Sequence, residues 1–215
     1  MISHAHRCCF VHVPKTGGSS IELALTGHDW ITQSPADYQV YLCEHASYTP
    51  EWGGTLCEKD PEYFARRMAV KHASQARLAA DHPREWAEYL RFTFVRNPWD
   101  RVLAIHRHGR RDARERTPES LLEWLSADEP ADHMGTPVFA PLIGNWDELD
   151  FIGRFELLQA DFKRLCARLD APCLALPHVT HGSSPVGYRA HYDAASRAIV
   201  AARCADEIAR FGYVF

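Results

Sequence analysis

The stretch that most constrains the fold is residues 8–25, CCFVHVPKTGGSSIELAL. It opens with a short apolar run, residues 8–13, whose length and composition predict a buried strand. A tight turn containing two glycines follows, and an apolar-periodic segment at 19–26 then predicts a helix. We therefore expect a strand, a glycine turn and a helix in direct succession.

Such a succession can hold an anion, because bare backbone N–H groups and the positive end of the helix dipole face the same point. Lys15 adds a mobile positive charge, and the hydroxyls of Thr16, Ser19 and Ser20 add hydrogen-bond donors. The pattern favours a site for a phosphate or sulfate group carried on a nucleotide. The alternative is an ordinary strand-to-helix turn, since glycine and serine are common in turns.

The chain as a whole fits one domain over residues 1–215, long enough to bury a core without disulfides or metals. A formal net charge of -4 argues against nucleic-acid binding, because the chain as a whole has no excess of positive charge to attract phosphates. No stretch is long and apolar enough for a membrane span or a signal peptide. The seven cysteines are irregularly spaced without a CxxC pair, which favours a reducing compartment. We expect a cytoplasmic protein.

Strand and helix signals alternate along the rest of the chain. Further strands are predicted at 68–71, 91–95 and 150–155, and further helices at 61–67, 74–80, 83–90, 99–108, 117–126, 159–169 and 193–211. The alternation predicts an α/β layered domain around a mainly parallel sheet, whose ligands bind beyond the carboxyl ends of the strands. Three predicted strands lead into reactive side chains, Lys15, His72 and Arg96. This coincidence favours an enzyme.

A P-loop for nucleoside triphosphates is one alternative for the first turn. Its pattern places the lysine after the second glycine and next to a hydroxyl that binds magnesium. Here Lys15 precedes Gly17 and Gly18, and the predicted strand at 68–71 ends in lysine rather than in a magnesium-binding aspartate. A nucleotide-dependent phosphotransferase is therefore disfavoured.

Two longer motifs stand in a fixed order, HVPKTGGSSI at 12–21 and FTFVRNPWDRVLAIH at 92–106. Together with segments 151–158, 176–184 and 211–215, they resemble the sulfotransferases that use 3'-phosphoadenosine 5'-phosphosulfate (PAPS). In particular, they resemble the carbohydrate-type family that includes heparan and chondroitin sulfotransferases and small bacterial relatives. The resemblance implies a three-layer α/β sandwich with a central, mainly parallel sheet and a P-loop-like nucleotide-binding topology.

The resemblance also implies the cofactor-binding residues. The 5'-phosphosulfate would be bound by the first motif, through Lys15, Thr16, Gly17, Gly18, Ser19 and Ser20. Arg96 would bind the 3'-phosphate, where a planar guanidinium suits a pair of phosphate oxygens. Alternatively, Arg96 is a salt-bridged strand end. Ser183, Ser184 and Tyr188 are further candidates, because the family closes a loop over the nucleotide at this place.

One position departs from the family. Ala104 stands where relatives have a serine that also contacts the 3'-phosphate. Either the affinity for that phosphate is lower, or His106, Arg107 or Ser184 supplies the missing contact. The departure also makes a non-catalytic module that binds PAPS, or its product adenosine 3',5'-bisphosphate (PAP), a further alternative.

His72 is the predicted catalytic base, because it follows a predicted strand and the family's relatives carry a base histidine in a similar H-[AV]-S context. A neutral imidazole near pH 7 can take a proton from an acceptor hydroxyl. Among thirteen histidines a surface or packed role is the alternative for each, and His45 is the next candidate base. Lys15 and the backbone donors of residues 17–20 would stabilise negative charge on the departing phosphate.

The predicted reaction moves the sulfuryl group of PAPS to a hydroxyl of a carbohydrate or other small molecule and leaves PAP. No metal is expected, because a sulfuryl group carries less charge than a phosphoryl group. The cluster His4, His6, Cys8, Cys9 and His12 suggests a metal site, but no second cluster at ligand spacing completes a tetrahedral set. The basic run at 107–116 favours an anionic acceptor, or it is a solvated helix end.

Overall fold

The computed structural model describes residues 2–4, 6–25, 72–111, 121–131, 137–172, 175–176 and 187–215. The predicted helix at 61–67 and strand at 68–71 lie outside the described residues, as do His45, Ser183 and Ser184. Contacts divide the chain into two compact units, Met1–Val95 with Pro141–Thr180 and Arg96–Ala140 with His181–Phe215. The single domain expected over 1–215 stays a prediction.

Within the described residues, the first unit contains a sheet of four strands that lie side by side in chain order. The strands are β1 (Ile2–Ser3), β2 (Cys8–Val11), β3 (Leu90–Val95) and β4 (Phe151–Arg154). β2, β3 and β4 run parallel, with Phe10 opposite Phe92 and Phe92 opposite Phe151, and β1 is antiparallel to β2. The predicted mainly parallel α/β sheet is therefore confirmed. β1 was not predicted, because two residues are too short for a periodic signal.

Eight α-helices lie in the described part of the chain. They are α1 (Gly18–Ala24), α2 (Gln75–Asp81), α3 (Pro83–Glu88), α4 (Pro98–Arg111), α5 (Leu121–Leu125), α6 (Leu158–Leu169), α7 (Ala194–Arg203) and α8 (Ala205–Phe211). Three 3-10 turns add to these, at Trp146–Glu148, Phe155–Leu157 and Arg189–His191.

Helices cover both faces of the sheet in the first unit. Alternate strand residues point to opposite faces, so Phe10 and Phe92 join one core cluster while Cys9 and Val11 join another. The first cluster is closed by Ile21 of α1, by Leu25 directly after α1, and by Phe162 and Leu165 of α6. The second is closed by Leu78 of α2 and Trp86 of α3. Helix, sheet and helix form the three layers expected for this α/β fold.

The second unit is helical, and its core joins residues of α4, α5 and α7. The cluster includes Trp99, Val102, Leu121, Val200 and Cys204. The prediction of one helix over 193–211 was wrong, because the chain leaves the helical region at Cys204 (φ -114°) between α7 and α8. The break coincides with Arg101, whose Nη2 lies 4.0 Å from the Cys204 sulfur and 3.0 Å from Glu207 Oε2. No periodic pattern can report such a contact.

Candidate functional site

The predicted strand, turn and helix follow one another as expected, with β2 ending at Val11 and α1 beginning at Gly18. Lys15 and Gly17 both have left-handed backbone, with φ of 64° and 86°, whereas Thr16 between them keeps a negative φ. For a non-glycine residue such as Lys15 the left-handed conformation costs roughly 1–2 kcal/mol. Strain of this kind is held in place by the surrounding structure and clusters at functional sites.

The alternation of hands turns successive backbone N–H groups toward one side, as in the nests that bind anions. Within the described residues, the N–H groups of Thr16, Gly17 and Gly18 donate to no acceptor. Thr16 and Gly18 are nevertheless buried. Buried N–H groups are nearly always paired in proteins, so the donors of Thr16 and Gly18 call for a ligand or water. We name residues 15–18 the nest.

The hydroxyl of Thr16 takes part in the turn itself, and its predicted role in cofactor binding stays a prediction. It donates to the carbonyl of Val13 at 2.8 Å, and Thr16 is wholly buried. The side chain of Thr16 therefore holds the turn closed, and its backbone N–H is one of the three donors of the nest. Ser19 is half-buried and Ser20 is buried at the start of α1. Their role in ligand binding stays a prediction.

A buried histidine and glutamate lie directly behind the nest, and sequence reasoning missed the pair. His12 Nδ1 donates to Glu22 Oε1 at 2.6 Å, and the two side chains are 3% and 0% exposed. A Cβ added to Gly18 would lie 2.0 Å from His12 Nε2, so only glycine fits at this position. The sequence did contain a signal for this pair. Glu22 stands four residues after Gly18, so it lies on the same side of the helix as the glycine that meets His12.

His72, the predicted base, lies against His12. Its Nδ1 donates to the backbone carbonyl of His12 at 2.8 Å, and the two ring centroids are 4.6 Å apart. A carbonyl can only accept, so Nδ1 carries the proton and the neutral ring keeps its lone pair on Nε2. The structure thus brings together His72, the nest and the His12–Glu22 pair within the first unit.

Arg96 begins the second unit, directly after β3. Its side chain is 5% exposed, and Nε and Nη2 lie 2.9 Å and 2.8 Å from Asp100 Oδ2. The salt bridge considered as an alternative is therefore present. A guanidinium has five donors, so the pair is compatible with a phosphate contact, and that contact stays a prediction.

The remaining candidates of the second unit have partners of their own. Ala104 is buried on α4, His106 packs against the ring of Trp124, and Arg107 Nη2 lies 2.8 Å from His191 Nε2. Tyr188 donates its hydroxyl to the carbonyl of Val214 at 3.4 Å. The binding role of Tyr188 stays a prediction.

Metal ligation has no support in the described part of the chain, where no group of three His, Cys, Asp or Glu side chains could hold an ion. Cys8, Cys9, Cys166 and Cys204 are all buried. Burial raises the pKa of Cys9 to about 11, because it disfavours the thiolate, so Cys9 packs as a small neutral side chain. None of the described helices combines the length and the apolarity needed to cross a membrane.

Comparison with known proteins identifies the family. The model of the sulfotransferase family matches residues 1–199, a span that contains β2, the nest, His72 and Arg96. The searches of curated proteins and of solved structures returned no match. Because the family match spans most of the chain, the chain belongs to the sulfotransferase family, and its activity is sulfuryl transfer.

Proposed function

We propose that the protein transfers the sulfuryl group of PAPS to an acceptor hydroxyl, with His72 as the catalytic base. The observation that carries the proposal is the nest, in which three backbone N–H groups without an acceptor among the described residues follow the Lys15 backbone in its strained conformation. In a member of the sulfotransferase family, the phosphosulfate end of the donor is the anion that such a nest would serve.

The residues present fit that donor. The nest offers backbone N–H groups and the Lys15 ammonium, which suit the oxygens of a phosphate or sulfate group. The first turn of α1 contains no acidic residue that would repel an anion. Glu22, the first acidic residue after the nest in the sequence, is wholly buried and already accepts a hydrogen bond from His12.

The roles of the protein's own groups follow from their positions. PAPS, when bound, supplies the sulfuryl group and a phosphate as the leaving group. His72 takes the proton of the acceptor hydroxyl at Nε2, because Nδ1 already donates to His12. Lys15 and the N–H groups of Thr16, Gly17 and Gly18 stabilise the negative charge that develops on the phosphate side.

The proposal assigns the 3'-phosphate to Arg96, with Ser183, Ser184 and Tyr188 as further contacts. The buried guanidinium of Arg96 favours this role, since a charge-assisted pair with phosphate is strong where water is excluded. The acceptor is a carbohydrate or another small hydroxylated molecule, and the reaction yields PAP.

The first experiment is a thermal-shift titration of the full chain with PAP. A free PAP concentration of about 100 times its Kd would add about 2.7 kcal/mol to the free energy of unfolding and raise Tm. Adenosine 5'-monophosphate is the matched control, because it lacks the 3'-phosphate and should shift Tm less. ATP with magnesium should also shift it less, and a shift by ATP with magnesium but not by PAP would contradict the proposal in favour of a phosphotransferase.

The second experiment is an acceptor screen with ³⁵S-labelled PAPS. The panel contains uronic-acid glycans, neutral oligosaccharides and small hydroxylated molecules. Label transferred to one class identifies the acceptor and supports the proposal. A Tm shift with PAP but no transfer to any class would favour the alternative of a nucleotide-binding module without turnover.

A further inference from the structure

We infer that His12 and Glu22 are positioning residues that together set the orientation and proton arrangement of His72. Neither residue would touch the substrates, and their part in catalysis rests on the proposed function. The inference starts from a buried ionisable pair that the proposed reaction does not use.

The first observation is the burial of the pair. Glu22 is 0% exposed. His12 is 3% exposed, and its ring stacks on Phe10, which belongs to the apolar core cluster of the first unit. A buried carboxylate is costly unless it is paired and hydrogen-bonded, and an apolar side chain would fill the same space without that cost. At 2.6 Å, the Nδ1–Oε1 bond is short and fixes the proton of His12 on Nδ1.

The second observation is the fixed position of the His12 ring. One face stacks on Phe10 at 5.1 Å between centroids, with an angle of 11° between the ring planes. Gly18 lies so close that a Cβ would be 2.0 Å from Nε2. The ring thus contacts β2, the start of α1 and, through Glu22, the body of α1.

The third observation links this pair to the proposed base. The backbone carbonyl of His12 accepts the Nδ1–H of His72 at 2.8 Å, across sixty residues of sequence. The carbonyl belongs to the residue whose ring is held by Phe10, Gly18 and Glu22. The pair therefore holds the carbonyl in place, and the carbonyl directs the lone pair of His72 to Nε2.

The central test compares Glu22→Gln with Asp161→Asn in the full chain. Asp161 is a matched control, because it is a buried carboxylate of the same unit that accepts from Arg154 N at 2.8 Å and from Arg164 Nη1 at 3.0 Å. Glu22→Gln should lower kcat about tenfold or more with KM for PAPS within about twofold, because a misplaced base slows chemistry rather than binding. Asp161→Asn should keep kcat per folded molecule near the wild-type value.

A second readout needs no turnover. Long-range ¹H–¹⁵N spectra of histidine-labelled protein distinguish the two imidazole tautomers. Wild-type His72 should show the Nδ1–H tautomer at neutral pH, Glu22→Gln should populate both tautomers, and Asp161→Asn should match the wild type. If the protein transferred no sulfuryl group, these spectra would still decide whether the His12–Glu22 pair sets the tautomer of His72.

The inference is overturned if wild-type His72 shows the Nε2–H tautomer, or if Glu22→Gln leaves the His72 spectrum as it is in Asp161→Asn. A kcat that falls no further in Glu22→Gln than in Asp161→Asn would also overturn it. If Glu22→Gln does not fold, the wild-type spectrum still tests the inference, because the Nε2–H tautomer excludes the bond to the His12 carbonyl and overturns it, whereas the Nδ1–H tautomer supports it.

Discussion

Two adjacent parallel strands, β2 and β3, lead into helices by different chemistry. We name residues 12–18 the first junction and residues 95–100 the second junction. The first bends its backbone through left-handed Lys15 and Gly17 and has no acidic residue in the first turn of its helix. The second places Asp100 in the first turn of α4, where its carboxylate pairs with Arg96.

The difference concerns where positive charge is available. The first junction presents backbone N–H groups that have no acceptor in the described part of the chain, together with a lysine. The second presents a guanidinium that already has an internal counter-charge. An anion at the first junction therefore gains new hydrogen bonds, whereas at the second it shares the arginine with Asp100. We expect changes at the first junction to have the larger effects.

The largest effect is expected for the two residues proposed for chemistry. His72→Ala removes the base and Lys15→Ala removes the charge at the nest, and each should lower kcat roughly 100-fold or more. Steady-state kinetics with labelled PAPS measure this. His4→Gln is the control, since His4 is an exposed histidine of the same unit bonded to Tyr89. Near-wild-type turnover of His72→Ala would exclude it as the base.

Gly18→Ala tests how closely the first junction is packed. The added Cβ would lie 2.0 Å from the buried His12 ring, so we expect a loss of about 2–3 kcal/mol in the free energy of unfolding. Gly144→Ala is the matched control, because nothing lies within 4 Å of its Cβ position and its φ is not positive. Urea denaturation measures both, and equal stabilities would show that the ring moves aside at little cost.

Asp100→Asn tests whether Arg96 at the second junction binds a phosphate. Removing the charge partner of buried Arg96 should cost about 1–3 kcal/mol of stability, as for other hydrogen bonds to charged groups. A 3'-phosphate would replace the lost charge, so PAP should raise Tm more in Asp100→Asn than in the wild type. An identical PAP shift in both proteins would assign Arg96 to a structural salt bridge.

Lys15→Gly separates strain from charge at the first junction. Glycine adopts the left-handed conformation freely, so relief of strain should stabilise the fold by up to about 1 kcal/mol, while turnover still falls with the loss of the ammonium. Urea denaturation and kinetics on Lys15→Gly and Lys15→Ala give the comparison. A less stable Lys15→Gly would show that the lysine side chain, and not its backbone, holds the turn.

The smallest effect is a pH dependence that should differ between the units. Burial and the charge of Arg107 lower the pKa of His191 in the folded protein. The contribution of His191 to stability is therefore present above its ordinary pKa of about 6.5, and it is lost as the pH falls through the lowered pKa of the folded state. In the first unit, the hydrogen bond from Arg91 lowers the pKa of Asp150, whose contribution is lost only below about pH 4. His191→Gln should flatten the stability profile between pH 6.5 and 5, measured by urea denaturation, and Asp150→Asn should not.

Much of the fold could be predicted from the sequence because its signals are local. The alternation of Cys8, Cys9, Phe10 and Val11 between two core clusters, and the glycine turn before α1, depend on neighbouring residues. The break at Cys204 could not be predicted, because the helical period continues across it and the contact with Arg101 is more than one hundred residues away. The two-residue strand β1 gave no periodic signal.

The sequence by itself determined the order of the candidate functional residues along the chain. A lysine and two glycines follow one strand, an arginine follows another, and a histidine stands between them. Turn composition and strand ends are written in consecutive residues, so they could be identified without coordinates. Only the tertiary structure decided that His12 and Glu22 are buried together and that the His12 carbonyl meets His72. Those contacts depend on packing α1 against the sheet, and burial of a polar pair follows from the whole core rather than from any local pattern.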